Sequence, residues 1–140
     1  MERSVMLSIR GRQTYLDQDP EIIELVTEGK LEQLENGWRL SYLESDLTGM
    51  DGVTTTFLIE PQKITLTRTG KLNSEMVFQE SVIHESLYKV EFGALMLSVC
   101  ASRISTQLSE EGGTVDLVYS IEIEQSAAGT IDYHLEIRPK

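Results

Sequence analysis

The chain has 140 residues, 40% of them hydrophobic, with 12 basic against 23 acidic side chains and a formal net charge of −11. That length suits one domain, residues 1–140, able to bury roughly 68–70% of its unfolded surface, and that charge repels nucleic-acid phosphates and anionic lipid surfaces. Cys100 is the only cysteine and excludes an intrachain disulfide, while no apolar run approaches a membrane span, so a cytoplasmic, unexported protein is expected.

Alternation with a period of two runs from Val5, Leu7 and Ile9 to Ile131, Tyr133, Leu135 and Ile137, the pattern of successive half-buried antiparallel strands. After the first such segment, Asp19, Pro20 and Glu21 ahead of Ile22, Ile23, Leu25 and Val26 form a local helix-start signal, with an N-cap aspartate and proline at the first helical position. Asn36 and Gly37 argue for a strand instead, because the pair suits a type I′ hairpin turn. That turn sets Glu35 opposite Trp38, Leu31 opposite Tyr42, Gly29 opposite Glu44 and Thr27 opposite Asp46, and gathers Ile23, Leu25, Leu31, Trp38, Leu40 and Tyr42 on one face. A strand is therefore expected, with a short helical turn near residues 19–23 as the open alternative. Gly29 reads as a point of close strand approach.

The loop from Asp46 to Gly52 has a superficial likeness to a calcium site. It lacks the alternating oxygen ligands and late glutamate of an EF-hand, so no metal is expected. Thr54, Thr55 and Thr56 express β propensity. A turn at Pro61 and Gln62 pairs Ile59 with Ile64, Phe57 with Leu66 and Thr55 with Arg68, which brings a charge onto an apolar row. If the turns around Lys71–Asn73 and Glu80–Val82 each hold three residues, Met76 and Phe78 face inward with His84, Ser86, Tyr88, Val90 and Phe92. A two-residue first turn instead sets Glu75 against Arg68. Inward parity changes between Leu95, Leu97, Val99, Ala101 and Ile104, Thr106, Leu108, so a β-bulge is expected near Ala101 to Arg103. Cys100, in this apolar stretch, is expected to be buried and inert. Gly112 and Gly113 as a turn pair Ile104 with Ile121, and a turn at Ala127 to Gly129 pairs Tyr119 with Ile137.

Several of these residues together resemble the YwiB-like bacterial family of unknown function. The matching pieces are Glu24, Leu25, Val26, Thr27, Glu28 and Gly29; Ser41, Tyr42, Leu43, Glu44 and Ser45; and Thr48 through Thr56. Arg68 with Gly70, Met76 with Phe78, Tyr88 with Gly93, and Gly112 and Gly113 leading to Tyr119 extend the likeness over nearly the whole chain. The resemblance implies a protein of Firmicutes-type bacteria and a small calycin-like barrel, related in architecture to lipocalins and fatty-acid-binding proteins. It supplies no catalytic residues. Val90, Glu91 and Phe92 stand where the family pattern has Thr, Pro and an aromatic residue.

The expected fold is therefore all-β: a single antiparallel, calycin-like, up-and-down barrel of about eight to ten strands. Its chemistry rests on polar residues in the inward rows. A buried guanidinium without a partner is costly, so Arg68 is expected to pair with Glu44 or Glu75, or to meet solvent or an anionic ligand. Arg68, Glu44, Tyr42, Thr55, Tyr88, Tyr119 and His84 form the candidate binding set for a small amphipathic anion. No cofactor, nucleic-acid partner or membrane contact is implied. A homodimeric interaction module with a filled interior is the alternative, using outward Val26, Leu34, Leu43, Leu58 and Val77. The enzyme reading pairs His84 with Glu44 or Glu85. His134 is expected to face outward, and two histidines exclude a three-histidine zinc site within one chain.

Overall fold

A computed structural model describes residues 2–14, 19–44, 51–70, 73–90, 93–124 and 126–140, apart from the side chains at 88–90, 127 and 128. These residues form ten strands: β1 (Glu2–Thr14), β2 (Glu21–Leu34), β3 (Gly37–Leu43), β4 (Val53–Glu60), β5 (Lys63–Gly70), β6 (Ser74–Phe78), β7 (Ile83–Val90), β8 (Gly93–Ser109), β9 (Gly112–Ile123) and β10 (Ser126–Pro139). They make one sheet in the order β6-β5-β4-β3-β2-β1-β10-β9-β8-β7, and every ladder is antiparallel. The end strands β6 and β7 face each other at a seam and are joined by the tight turn Gln79–Val82, closed by the bridge Gln79↔Val82 and tied to β8 by the bridge Glu80↔Ala101, with Ser81 N donating to Ala101 O at 2.9 Å. The sheet is thus a nearly closed up-and-down barrel, as the alternation implies. Among the described residues no helix is long and apolar enough to cross a membrane.

The core follows from the period of two. Val5, Leu7 and Ile9 on β1, Phe57 and Ile59 on β4, Ile64 and Leu66 on β5, and Leu135 and Ile137 on β10 all point to the common axis and are buried. Phe78 of β6 packs on Tyr119 of β9 with ring centroids 4.4 Å apart, an apolar contact across the interior close to the seam. Met76 and Phe78 lie opposite Leu66 and Ile64, with residues 71–73 between β5 and β6, so both side chains turn inward as expected for a three-residue connection. The helix-start signal at Asp19 and Pro20 is overridden: β2 begins at Glu21, opposite Gln13 of β1, because pairing there satisfies its backbone and continues the inward row.

Three turns sit elsewhere than their glycines indicate. Leu34 pairs with Gly37 and Leu31 with Leu40, not Tyr42, so the β2–β3 turn is Glu35–Asn36. Gly29 consequently faces Tyr42 rather than Glu44. None of residues 35–37 has a positive φ, so this is not a type I′ turn. Gly37 is needed for another reason, since a Cβ there would run into the carbonyl oxygen of Ile59. Likewise the β8–β9 turn is Glu110–Glu111, with Ile104 opposite Leu117, not Ile121. Gly113, the second residue of β9, has φ 142°, and a side chain there would strike the Gln107 carbonyl. Residues 124–125 connect β9 to β10, Tyr119 lies opposite Ile131, not Ile137, and Ala127–Gly129 forms a register shift in place of the expected turn.

These displacements amount to two, four and six positions. Each is even, so no row of side chains changes face. The Pro61–Gln62 turn and its pairs Ile59↔Ile64, Phe57↔Leu66 and Thr55↔Arg68 are as read from the sequence, and so is the bulge between Ala101 and Arg103. Gly29 also fits its reading: a Cβ there would lie 2.7 Å from Leu7 Cδ1 and 2.8 Å from Ser41 O. Cys100 departs from expectation. Its neighbours Val99 and Ala101 are the buried ones, which turns its thiol to the outer, half-buried face opposite Ile83.

Candidate functional site

β1, β3, β5, β7 and β9 finish at the same end of the barrel, where β2, β4, β6, β8 and β10 begin. There the strand ends converge on a cavity of about 260 Å³. β1 supplies Ile9, Gly11 and Gln13, β2 supplies Ile23 and Leu25, and Tyr42 and Glu44 come from the end of β3 and the residue just beyond it. Arg68 of β5, Met76 of β6, Leu97 of β8, Tyr119 and Ile121 of β9, and Ile131 and Tyr133 of β10 complete the lining. The walls are mostly aliphatic, with the polar groups concentrated on a few strands.

Arg68 continues the row of Ile64 and Leu66 and is flanked by Thr55 on β4 and Ser74 on β6. Its inward position is therefore imposed by the ladder and not by an attraction to a counter-charge. The buried Nε makes no hydrogen bond, and Glu75, one of the two expected partners, is exposed. Glu44 is 3% exposed and accepts a hydrogen bond from the Thr55 hydroxyl at 2.6 Å.

Tyr42 is hydrogen-bonded to Glu44, and Tyr133 to Tyr42. The carboxylate only accepts, so the Tyr42 hydroxyl donates to it. Burial is the main cause that raises both phenols above their ordinary value of 10.0; the Arg68 charge works in the opposite direction. Both tyrosines accordingly stand as neutral hydrogen-bonding groups beside a guanidinium.

Of the residues singled out by sequence, Arg68, Glu44, Tyr42 and Tyr119 meet around the cavity, and Thr55 stands behind Glu44 as its donor. His84 does not line it. Its Nε2 shares a 3.2 Å hydrogen bond with Gln79 Oε1 near the seam. The Tyr88 backbone pairs with Leu95, while its side chain is outside the described residues. So are residues 45–50, on which most of the calcium-like loop falls. Tyr133 and Gln13 were not in the expected set. Tyr133 carries a readable signal, a phenol in the inward row of Ile131, Leu135 and Ile137, but the same signal is shared by any core tyrosine.

Elsewhere among the described residues several charged groups pair with one another. At the opposite end, Arg3, Leu31, Gln33, Trp38 and Glu110 line a smaller recess of about 210 Å³, where Arg3 and Glu110 approach to 4.0 Å. On the outer face, as expected, His134 meets Asp116 at 2.6 Å, and this bond is the main cause that raises the imidazole above its ordinary value.

A family model described as "Domain of unknown function (DUF1934)" matches residues 7–137. The uncharacterized beta-barrel protein YwiB of Bacillus subtilis (strain 168) is 30% identical over 109 residues, covering 76% of this chain and 74% of that protein. The crystal structure of the ywiB protein from Bacillus subtilis aligns with a TM-score of 0.82 at 23% identity, over 96% of this chain and 92% of the other. These findings agree with the resemblance carried by the sequence and with the barrel.

Proposed function

Because the chain belongs to the DUF1934 family, described as a domain of unknown function, we propose from its site a small-molecule-binding barrel that takes an anionic, amphipathic ligand at one mouth, anchored by Arg68. The observation that carries this reading is the buried Nε of Arg68 without a hydrogen bond. An unsatisfied buried donor costs roughly 1–3 kcal/mol, more when charged, and a ligand oxygen would remove that cost. Tyr42, Tyr119 and Tyr133 add polar atoms to the wall, and Leu25, Leu97, Ile121 and Ile131 offer an apolar surface for the rest of the ligand. A calycin-like container in the cytoplasm, working without a cofactor, accords with this arrangement.

The second reading, a homodimeric interaction module, draws on Val26 and Leu43, which are 62% and 65% exposed on the outer face. It asks for a filled interior, whereas about 260 Å³ is open at the mouth. The enzyme reading loses support because the His84 ring is engaged by Gln79 and is absent from the cavity lining. Native mass spectrometry of the protein purified from its own host tests the proposal. A small-molecule adduct is expected on the natural chain and is expected to be lost in Arg68→Met. A bare chain together with a dimeric mass favours the interaction module.

A further inference from the structure

Resting on the ligand-binding reading, we infer that the occupant is a monocarboxylic acid with a compact apolar body, about ten non-hydrogen atoms in all, and neither a long-chain lipid nor a phosphate. Size sets the first limit. An apolar cavity of about 150 Å³ takes up benzene, with six heavy atoms. On that scale the mouth cavity of about 260 Å³ has room for roughly ten. A sixteen-carbon chain exceeds it.

Charge sets the second limit. Arg68 is the one cation among the described residues that line the cavity, and Glu44 lines it too. A phosphate monoester carries about −1.5 to −2 at neutral pH, which sets close to two negative charges against one guanidinium beside an existing carboxylate. A monocarboxylate brings one.

Geometry selects the same group. Guanidinium N–H donors lie in one plane as a fork that two carboxylate oxygens match, and the buried Nε donor of Arg68 has no partner. With the head at Arg68, the body of the ligand lies against Leu25, Met76, Leu97, Ile121 and Ile131, which form the apolar part of the wall. Tyr42 already donates to Glu44, so the carboxylate head meets the arginine without competing for that phenol.

Isothermal titration calorimetry on the full chain, with octanoate, 1-octanol, octyl phosphate and palmitate below their micellar concentrations, tests this. Octanoate is expected to bind one to one and more tightly than the other three. Arg68→Met is expected to weaken octanoate by roughly 10–100-fold and leave octanol unchanged, with circular dichroism confirming an intact fold. Ile131→Trp fills the cavity without touching the arginine and is expected to abolish both. Octanol matching octanoate, or octanoate binding unaltered by Arg68→Met, overturns the carboxylate assignment while leaving a ligand-binding barrel. Tighter palmitate overturns the size limit, and tighter octyl phosphate overturns the single charge. If none of the four binds the natural chain, the monocarboxylate assignment falls, and the search for a co-purifying adduct by native mass spectrometry decides the ligand-binding reading separately.

Discussion

Glu44 illustrates how a charge is tolerated where water hardly reaches. The Thr55 hydroxyl, itself fully buried, is 2.6 Å from its Oε2, and Tyr42 supplies a second donor. Replacing Thr55 by valine keeps the shape and removes a donor from a buried acceptor, so a loss of about 1–3 kcal/mol is expected in urea denaturation, with Thr55→Ser recovering most of it. Equal stability of Thr55→Val and the natural chain would mean that the carboxylate has no need of that hydroxyl. At this scale much of the site was legible. Arg68, Glu44 and Tyr42 fall on inward rows because strand side chains alternate, and the alternation survives errors in pairing. Tyr133 was hidden by its company, since a phenol among isoleucines and leucines reads as packing until the barrel sets it beside Tyr42. His84 also sits on an inward row, opposite buried Val99. Its distance from the mouth follows from its place at the start of β7, the end of that strand away from the opening.

Turns show what a strand-by-strand reading misses. Asn36–Gly37 has the composition of a left-handed turn, yet the chain reverses at Glu35–Asn36 with no positive φ, and the glycine is reserved for contact with β4. Local propensity sees the glycine but not the neighbouring carbonyl. The two roles separate experimentally. Gly37→Ala is expected to destabilise the protein by on the order of 2 kcal/mol or more, through the clash with Ile59, while Asn36→Ala at the exposed turn changes stability by less than about 0.5 kcal/mol, both read by denaturant melting. The reverse ranking would restore the type I′ turn. The bulge at Ala101–Arg103 was legible because a switch of inward parity within one continuous apolar strand has few other physical solutions.

Across the whole molecule, cohesion is uneven. β1 and β10 are each paired on both sides in the middle of the sheet, whereas β6 and β7 are its two ends and share no ladder among the described residues, the connection between them carrying only the isolated bridges Gln79↔Val82 and Glu80↔Ala101. β7 also carries Ile83 and Leu87, 69% and 61% exposed. Hydrogen exchange followed by NMR is expected to show the backbone amides of β6 and β7 that face the seam losing protection well before those of β1 and β10; uniform protection around the barrel would mean that the seam is as firmly closed as the ladders.

The pairing of β1 with β10 sets Val5 beside Pro139, so both ends of the described strands leave the barrel opposite the mouth. A short linker from Pro139 to Glu2, with new termini cut at Glu80–Ser81, would preserve all nine ladders and turn the molecule into a plain meander from β7 round to β6. The polypeptide's starting point is thus independent of the architecture, and either terminus can carry a fusion partner without obstructing the opening.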